Sequence, residues 1–316
     1  MARGDIREDA DESARELALP EDLVAGTIAI TLGYRGEGFA GYAEQPGQRT
    51  VAGELRQALQ TLLRRDVDME CAGRTDAGVS ALGQVVSVPV TAGELQRPAR
   101  RLTASLVALT PDDLSIRGLR LGGPSFSARF DATQRSYRYR ICCGPARPVL
   151  AWAHAWWLRS VPTLDADAMD VAAQALVGEH DFRSFCKATS AHLLEADGRS
   201  SCRCLSSVRV SHVCEAGEER VAVDVTGNAF LHNMGRIIVG SLVEVGRGHR
   251  DAAWLEGALA ARDRSAAGPT APARGRVFER VDYPEGALEA WRLPCRRLRT
   301  SRDGCMTTQI NVCEDF

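Results

Sequence analysis

Apolar and polar residues alternate along "TIAITLGY" (27–34) with the period of two that a half-buried strand requires, and Gly33, Gly36, Gly38 and Gly41 then predict a long turn-rich loop. The period changes over "TVAGELRQALQTLLRR" (50–65), where Val51, Leu55, Leu59 and Leu62 share one helical face and Thr50 is placed to cap it. "VDMEC" (67–71) and "GQVVSVPV" (83–90) read as strands, and the loop "AGRTDAG" lies between them. A second helix is predicted over Ala99–Leu109 and a strand over Leu114–Leu121. Strands with two helices in this order have the split βαβ, ferredoxin-like pattern.

A similar order follows. "RSYRYRICC" (135–143) reads as a strand, Leu164–Val177 as a helix, and "CLSSVRVSHV" (204–213) and "ERVAVDVTG" (219–227) as two strands. "AFLHNMGRIIVGSLVEVG" (229–246) predicts an apolar helix, Asp251–Arg262 a shorter one, and Val277–Tyr283 a closing strand. The expected fold class is α+β: two ferredoxin-like, RRM-like halves, residues 24–130 and 131–285, packed around a central cleft between two sheets, a natural place for a site. Residues 1–23 are highly charged with poor periodicity and read as a disordered tail; 286–316 read as an extension, with Cys295, Cys305, Cys313 and four arginines between Arg292 and Arg299.

Composition narrows the class of function. No apolar run is long enough to span a bilayer and the acidic N-terminus has no signal-peptide pattern, so the expected location is the cytoplasm. The ten cysteines are scattered without a CxxC, which predicts reduced thiols and no bound metal. The net charge of −2 is uneven: residues 1–22 carry eight acids against three arginines, leaving +3 for the remainder. A mild excess permits RNA binding without requiring it. Lys187 is the only lysine among the 39 lysine and arginine residues. Arginine suits phosphate and base contacts, although a GC-rich coding sequence accounts for the bias as well.

Asp76 in "GRTDAG" has three readings: a turn residue, part of a glycine-rich phosphate loop, or a catalytic acid. Composition alone favours the turn, because Asp and Gly form turns readily. A phosphate cradle is weakest, since GxxxxGK[ST] is absent and a carboxylate repels phosphate. Residues elsewhere raise the catalytic reading. "AGRTDAGVSALGQV", "SARFDATQRSYRYRI", "GEHDFRSF", "AFLHNMGRIIVGSLVEVG" and "DRSAAGPTAPARG" followed by "VDYP" occur in an order and spacing that resemble the TruA family of tRNA pseudouridine synthases, over about residues 25–285.

The resemblance implies two α/β domains around a shared cleft, and a homodimer that binds the anticodon stem-loop of tRNA and isomerises uridine to pseudouridine (family positions 38–40). Asp76 matches the catalytic aspartate, Arg74 the arginine that helps turn the nucleotide out, Tyr137 the tyrosine that stacks on uracil, and Arg236 the basic partner of the carboxylate. Arg129, Arg135 and Arg138 are candidate phosphate contacts. The isomerisation is redox-neutral, and a carboxylate can attack the ring or sugar or assist a deprotonation, so no cofactor is expected. An always-charged arginine beside the acid favours its ionised form and fixes its orientation. The Tyr137 hydroxyl could relay the C5 proton. His232 has two readings, a family helix position near the cleft and, as is commoner for a lone histidine in an apolar helix, a structural residue; Phe230 and Met234 read as core.

Several positions depart from the family pattern. "GYRGEGFAGYAEQ" has Arg35 where an acid is usual and Tyr42 where tryptophan is usual; Ser80 replaces a common histidine, and Arg276 stands at a position usually apolar. These departures leave one alternative, a specialised paralogue that makes pseudouridine from another RNA or a free nucleotide for small-molecule biosynthesis; against a third reading, a solely non-enzymatic RNA-binding or chaperone role, stand the intact Asp76, Tyr137 and Arg236.

Overall fold

A computed structural model describes residues 24–291; the acidic segment 1–23 and residues 292–316, with Cys295, Cys305 and Cys313, lie outside the described residues. The first alternating segment is a long strand, β1 (Val24–Tyr34), followed by α1 (Val51–Leu63), β2 (Glu70–Cys71), β3 (Ser80–Thr91), the single turn α2 (Ala92–Leu95), α3 (Ala99–Leu109) and β4 (Leu114–Gly122). Thr50 caps α1 as expected, its hydroxyl accepting from the Gly53 amide at 3.2 Å. Then come β5 (Gln134–Cys143), β6 (Trp156–Leu158), α4 (Ala166–Ala173), β7 (Gly178–Asp181), α5 (Ala188–Ala196), β8 (Cys202–Glu215), β9 (Glu218–Gly227), α6 (Met234–Gly246), α7 (Ala252–Ala261), β10 (Arg276–Asp282) and β11 (Glu289–Ala290).

Instead of two packed sheets, the strands form one sheet in the order β11-β4-β1-β3-β10-β5-β9-β8-β7, with β2 on β3 and β6 on β5. The last long strand makes the difference. β10 runs parallel to β3, with Val277 opposite Ser80, and antiparallel to β5, with Phe278 opposite Tyr137. At Val277 and Phe278 the strand has neighbours on both sides, which joins the two halves into one sheet.

One apolar core lies where Ile28, Ile30 and Leu32 of β1 meet Val51, Leu55 and Leu59 of α1 and Leu106 of α3. A second lies where Ile141, Val223 and Val208 meet Met169 of α4 and Ile237, Ile238 and Leu242 of α6. Tyr137 and Phe278 belong to the first core and Tyr139 to the second, so β5 and β10 carry the seam. The opposite face of β1 is covered too, with Ala29 against Phe126, Ala128 and Leu288, which explains why β1 is buried almost throughout rather than on alternate residues.

The apolar helix expected over 229–246 starts only at Met234, because Asn233 takes a left-handed conformation (φ 64°). Residues 229–233 are therefore a loop, and their side chains leave the helix face. The helix expected over 164–177 is shorter as well: α4 gives way to a tight 3₁₀ turn at Gln174–Leu176. β6, β7, α5 and β11 have no counterpart in the sequence pattern.

The chain's five tyrosines, Tyr34, Tyr42, Tyr137, Tyr139 and Tyr283, have phenols that burial pushes above the ordinary range. With the folded-state value above the unfolded one, their contribution to stability is complete below pH about 10 and is lost as pH rises through the folded values. An alkaline titration followed by ultraviolet absorbance should show no tyrosinate until above that range, and then together with unfolding. A phenol titrating at its ordinary value in the folded protein would contradict this packing.

Candidate active site

The loop that carries Asp76 is glycine-rich but firmly held. The Ala72 amide donates to Val85 O at 2.9 Å, and Ala72 O accepts from Arg135 Nε at 2.9 Å. Gly73 O accepts from the Gln84 side-chain amide at 2.6 Å, and Thr75 shares a 2.8 Å hydrogen bond with the Tyr34 hydroxyl. Thr75 O accepts from the Tyr42 amide at 3.0 Å, and the Val79 amide closes the turn on Asp76 O at 3.1 Å. Backbone groups of the loop are thus satisfied by neighbours on three sides.

The glycine-containing stretch after β1 forms the cradle. At Gly41 (φ +109°) a Cβ would stand 3.0 Å from Thr75 O, and at Gly36 only 2.4 Å from the Val79 carbonyl. Tyr42, the replacement noted in the sequence, is buried and holds the loop through its backbone amide.

Asp76 is 26% exposed and meets α6 across the seam. Its Oδ2 lies 3.2 Å from Arg236 Nη1, which also donates to Asn233 Oδ1 at 3.1 Å, while Arg236 Nε donates to Ala271 O at 2.7 Å. The guanidinium is therefore oriented by the backbone before it meets the acid, and the pair is a charge-assisted hydrogen bond. The other carboxylate oxygen faces His232 Nε2 at 3.7 Å, and that ring's Nδ1 is 2.9 Å from Ser190 Oγ.

Tyr137 lies beneath the loop, close enough that a Cβ on Gly73 would be 3.4 Å from its hydroxyl. Phe278 stacks on its ring at 4.5 Å and 15°, and Phe230 meets it edge-on at 4.8 Å. The Arg276 guanidinium covers the ring at 3.9 Å. Burial raises the phenol's pKa, against the lowering effect of Arg276 and Arg135, so the hydroxyl keeps its proton at neutral pH.

The structure thus brings Asp76, Arg236 and Tyr137 together. Arg74 and Arg129 are exposed, and the Arg129 guanidinium lies over Phe130. Both are close enough to Cys71 to oppose, by their charge, the rise that burial gives its thiol.

Arg135 and Arg138, expected as phosphate contacts, have internal partners instead. Arg135 is buried and donates to the carbonyls of Ala72, Ala132, Asn228 and Arg129. Arg138 points to the opposite face of β5, as strand alternation requires, and pairs with Asp224 through two bonds of 2.7 and 2.9 Å. Among the described residues no cluster of three or more His, Cys, Asp or Glu side chains could hold a metal ion, and no helix is long and apolar enough to cross a membrane.

Asn233 and Phe278, beside Arg236 and Tyr137, were missed by sequence reasoning, which favoured a structural role for His232 over a place near the cleft. Asn233 directly before an apolar run is a helix-start signal; read that way, it frees His232 from the helix and its core role.

A mixed α/β sheet with a carboxylate held against an arginine above a buried tyrosine is consistent with the family model that matches residues 172–284, described as tRNA pseudouridine synthase. Similar proteins named tRNA pseudouridine synthase A span nearly the whole of the described chain. One from Chloroflexus aurantiacus is 42% identical over 272 residues, 86% of this chain and 93% of the relative. Those from Shouchella clausii and Brevibacillus brevis are 39% and 42% identical, each over 81% of this chain and over 93% and 99% of their own lengths. The chain belongs to the tRNA pseudouridine synthase A family.

Proposed function

We propose that this protein isomerises uridine to pseudouridine in tRNA, with Asp76 as the acting carboxylate and no cofactor. The observation that carries the reading is the Asp76–Arg236 pair, which joins residues 160 positions apart on a loop anchored along most of its length. The C1′–N1 bond of the target nucleotide breaks, the uracil turns, C5 joins C1′, and the C5 proton departs. Asp76 acts at the sugar or base, and Arg236 aims it. Tyr137 supplies a phenolic hydroxyl beside the base and relays the C5 proton. His232 is a second basic group at the carboxylate.

The target base of a stem is stacked and must be extruded, at a cost of a few kcal/mol. Arg74, exposed on the same loop as Asp76, fills the vacated place, and exposed Arg129 meets phosphate. Arg135 and Arg138 act by holding the loop and the sheet. Two ferredoxin-like halves, residues 24–130 and 131–285, meet at the seam, and the working form is a cytoplasmic homodimer on the anticodon stem-loop.

The test is tritium release from C5-labelled uridine in unmodified tRNA transcripts, beside free uridine monophosphate. Release from tRNA, mapped to the anticodon stem-loop, is expected. Release from the free nucleotide alone would move the protein into small-molecule biosynthesis, and none from either would remove the enzymatic reading.

A further inference from the structure

Arg276 opens β10 at the seam, and its side chain is only 7% exposed. Among the described residues its Nε is buried and has no hydrogen-bond partner. The contrast with Arg135 is direct: an equally buried cation there is satisfied by four carbonyls. A buried N–H without an acceptor is costly, and an acceptor is what this one lacks.

Its surroundings locate the missing acceptor. The guanidinium lies over the Tyr137 ring at 3.9 Å, with Phe230 at 6.0 Å, while Phe278 stacks on Tyr137 at 4.5 Å. A planar ring offers two faces, and these two groups take them both. Gly235, next to Arg236 on α6, makes the space: a Cβ there would come within 3.4 Å of Arg276 Cζ and Nη2. The cation therefore occupies the one place where a flat base would stack on Tyr137.

We propose that Arg276 contacts the target uracil. In the free protein its guanidinium holds the base's place on Tyr137; when the base enters, the guanidinium moves to the base's rim and donates its N–H groups to a ring carbonyl oxygen. The inference rests on the uridine-isomerising reading of the site.

The chemistry gives the contact a catalytic consequence. When C1′–N1 breaks, the bonding pair stays on the base and is shared by N1 and the carbonyl oxygens. The base then supplies a pair to form C1′–C5, C5 loses its proton and N1 gains one, so nothing is oxidised or reduced. A guanidinium on a carbonyl oxygen stabilises the detached, charged base more than the neutral one. Arg276 therefore acts on kcat more than on KM, which the many contacts to the RNA body dominate.

The test compares native protein with Arg276→Leu and Arg276→Lys by tritium release from tRNA, with thermal melts of all three. Leucine removes a buried N–H that lacks an acceptor, so its melting temperature should equal or exceed the native one. Its kcat should fall about ten- to a hundredfold, as loss of a charged hydrogen bond does, with lysine recovering part of the loss. Native kcat in Arg276→Leu would overturn the proposal. Should the native protein release nothing from tRNA, the tRNA reading falls, and uridine 5′-monophosphate titrated calorimetrically into native and leucine proteins decides on Arg276. Binding about tenfold weaker in the variant upholds the contact; equal binding, or none by either, overturns it.

Discussion

Asp76→Asn should lower turnover by about four orders of magnitude or more, in line with removal of a group that acts directly on the reacting atoms. Asparagine keeps the size of the side chain and can still accept from Arg236 through its carbonyl, so the geometry of the site is preserved while the charge and nucleophilicity are lost. Stability should hardly change. The carboxylate is about a quarter exposed, and asparagine keeps a hydrogen bond to Arg236, so little of the pair's contribution is lost. The loop itself is fixed by groups other than the Asp76 side chain: Tyr34, Tyr42, Gln84 and Arg135. Single-turnover tritium release, urea unfolding and tRNA binding, measured together, separate these effects. An Asp76→Asn variant that turns over within about tenfold of native would remove Asp76 from the chemistry, whereas one that unfolds early would make it a structural residue.

The difference between what the sequence shows and what it hides has a physical basis. Periodicity located most of the long elements because each has one face in a core: Ile28, Ile30 and Leu32 on β1, and Val51, Leu55 and Leu59 on α1. Local signals such as Thr50 and Ala99–Leu109 were legible for the same reason, since capping and helical burial act within a few residues. The insertion of β10 between β3 and β5 was not, because strand order depends on pairings between residues far apart in the chain. Short pieces such as β6 and β11 carry too few residues for a pattern.

At the site, Asp76, Tyr137 and Arg236 were singled out by resemblance, and their meeting is explained by the seam. The roles assigned to arginines were less legible. Arg135 and Arg138 look alike in "RSYRYR", yet one is buried among carbonyls and the other paired on the far side of the sheet. The place of His232 turned on the left-handed Asn233, and that of Arg276 over Tyr137 on the pairing of β10 with β5, which joins residues far apart in the chain.

Arg135 allows the structural and RNA-contact readings of these arginines to be separated, through the second large effect expected. Its Nε holds Ala72 at the base of the Asp76 loop, its Nη1 reaches Ala132 and Asn228, and its Nη2 reaches Arg129. One side chain thus ties the loop before Asp76 to the turn before β5 and to the end of β9. Arg135→Met would keep the aliphatic bulk and strip donors from these four carbonyls. Each buried acceptor left unpaired costs about 1–3 kcal/mol, so after relaxation a loss of about 3 kcal/mol or more is expected. For a protein of this size that lowers the melting temperature by about 5 °C or more. Turnover should fall as well, because the Ala72 carbonyl sets the start of the loop that aims Asp76. RNA affinity at a fixed temperature below the melt should change little, and its dependence on salt not at all. A phosphate contact would behave in the opposite way: melting unchanged, RNA binding weaker, and the salt slope smaller by about one unit. Melting and salt-dependent binding of this variant therefore decide whether Arg135 belongs to the fold or to the RNA surface.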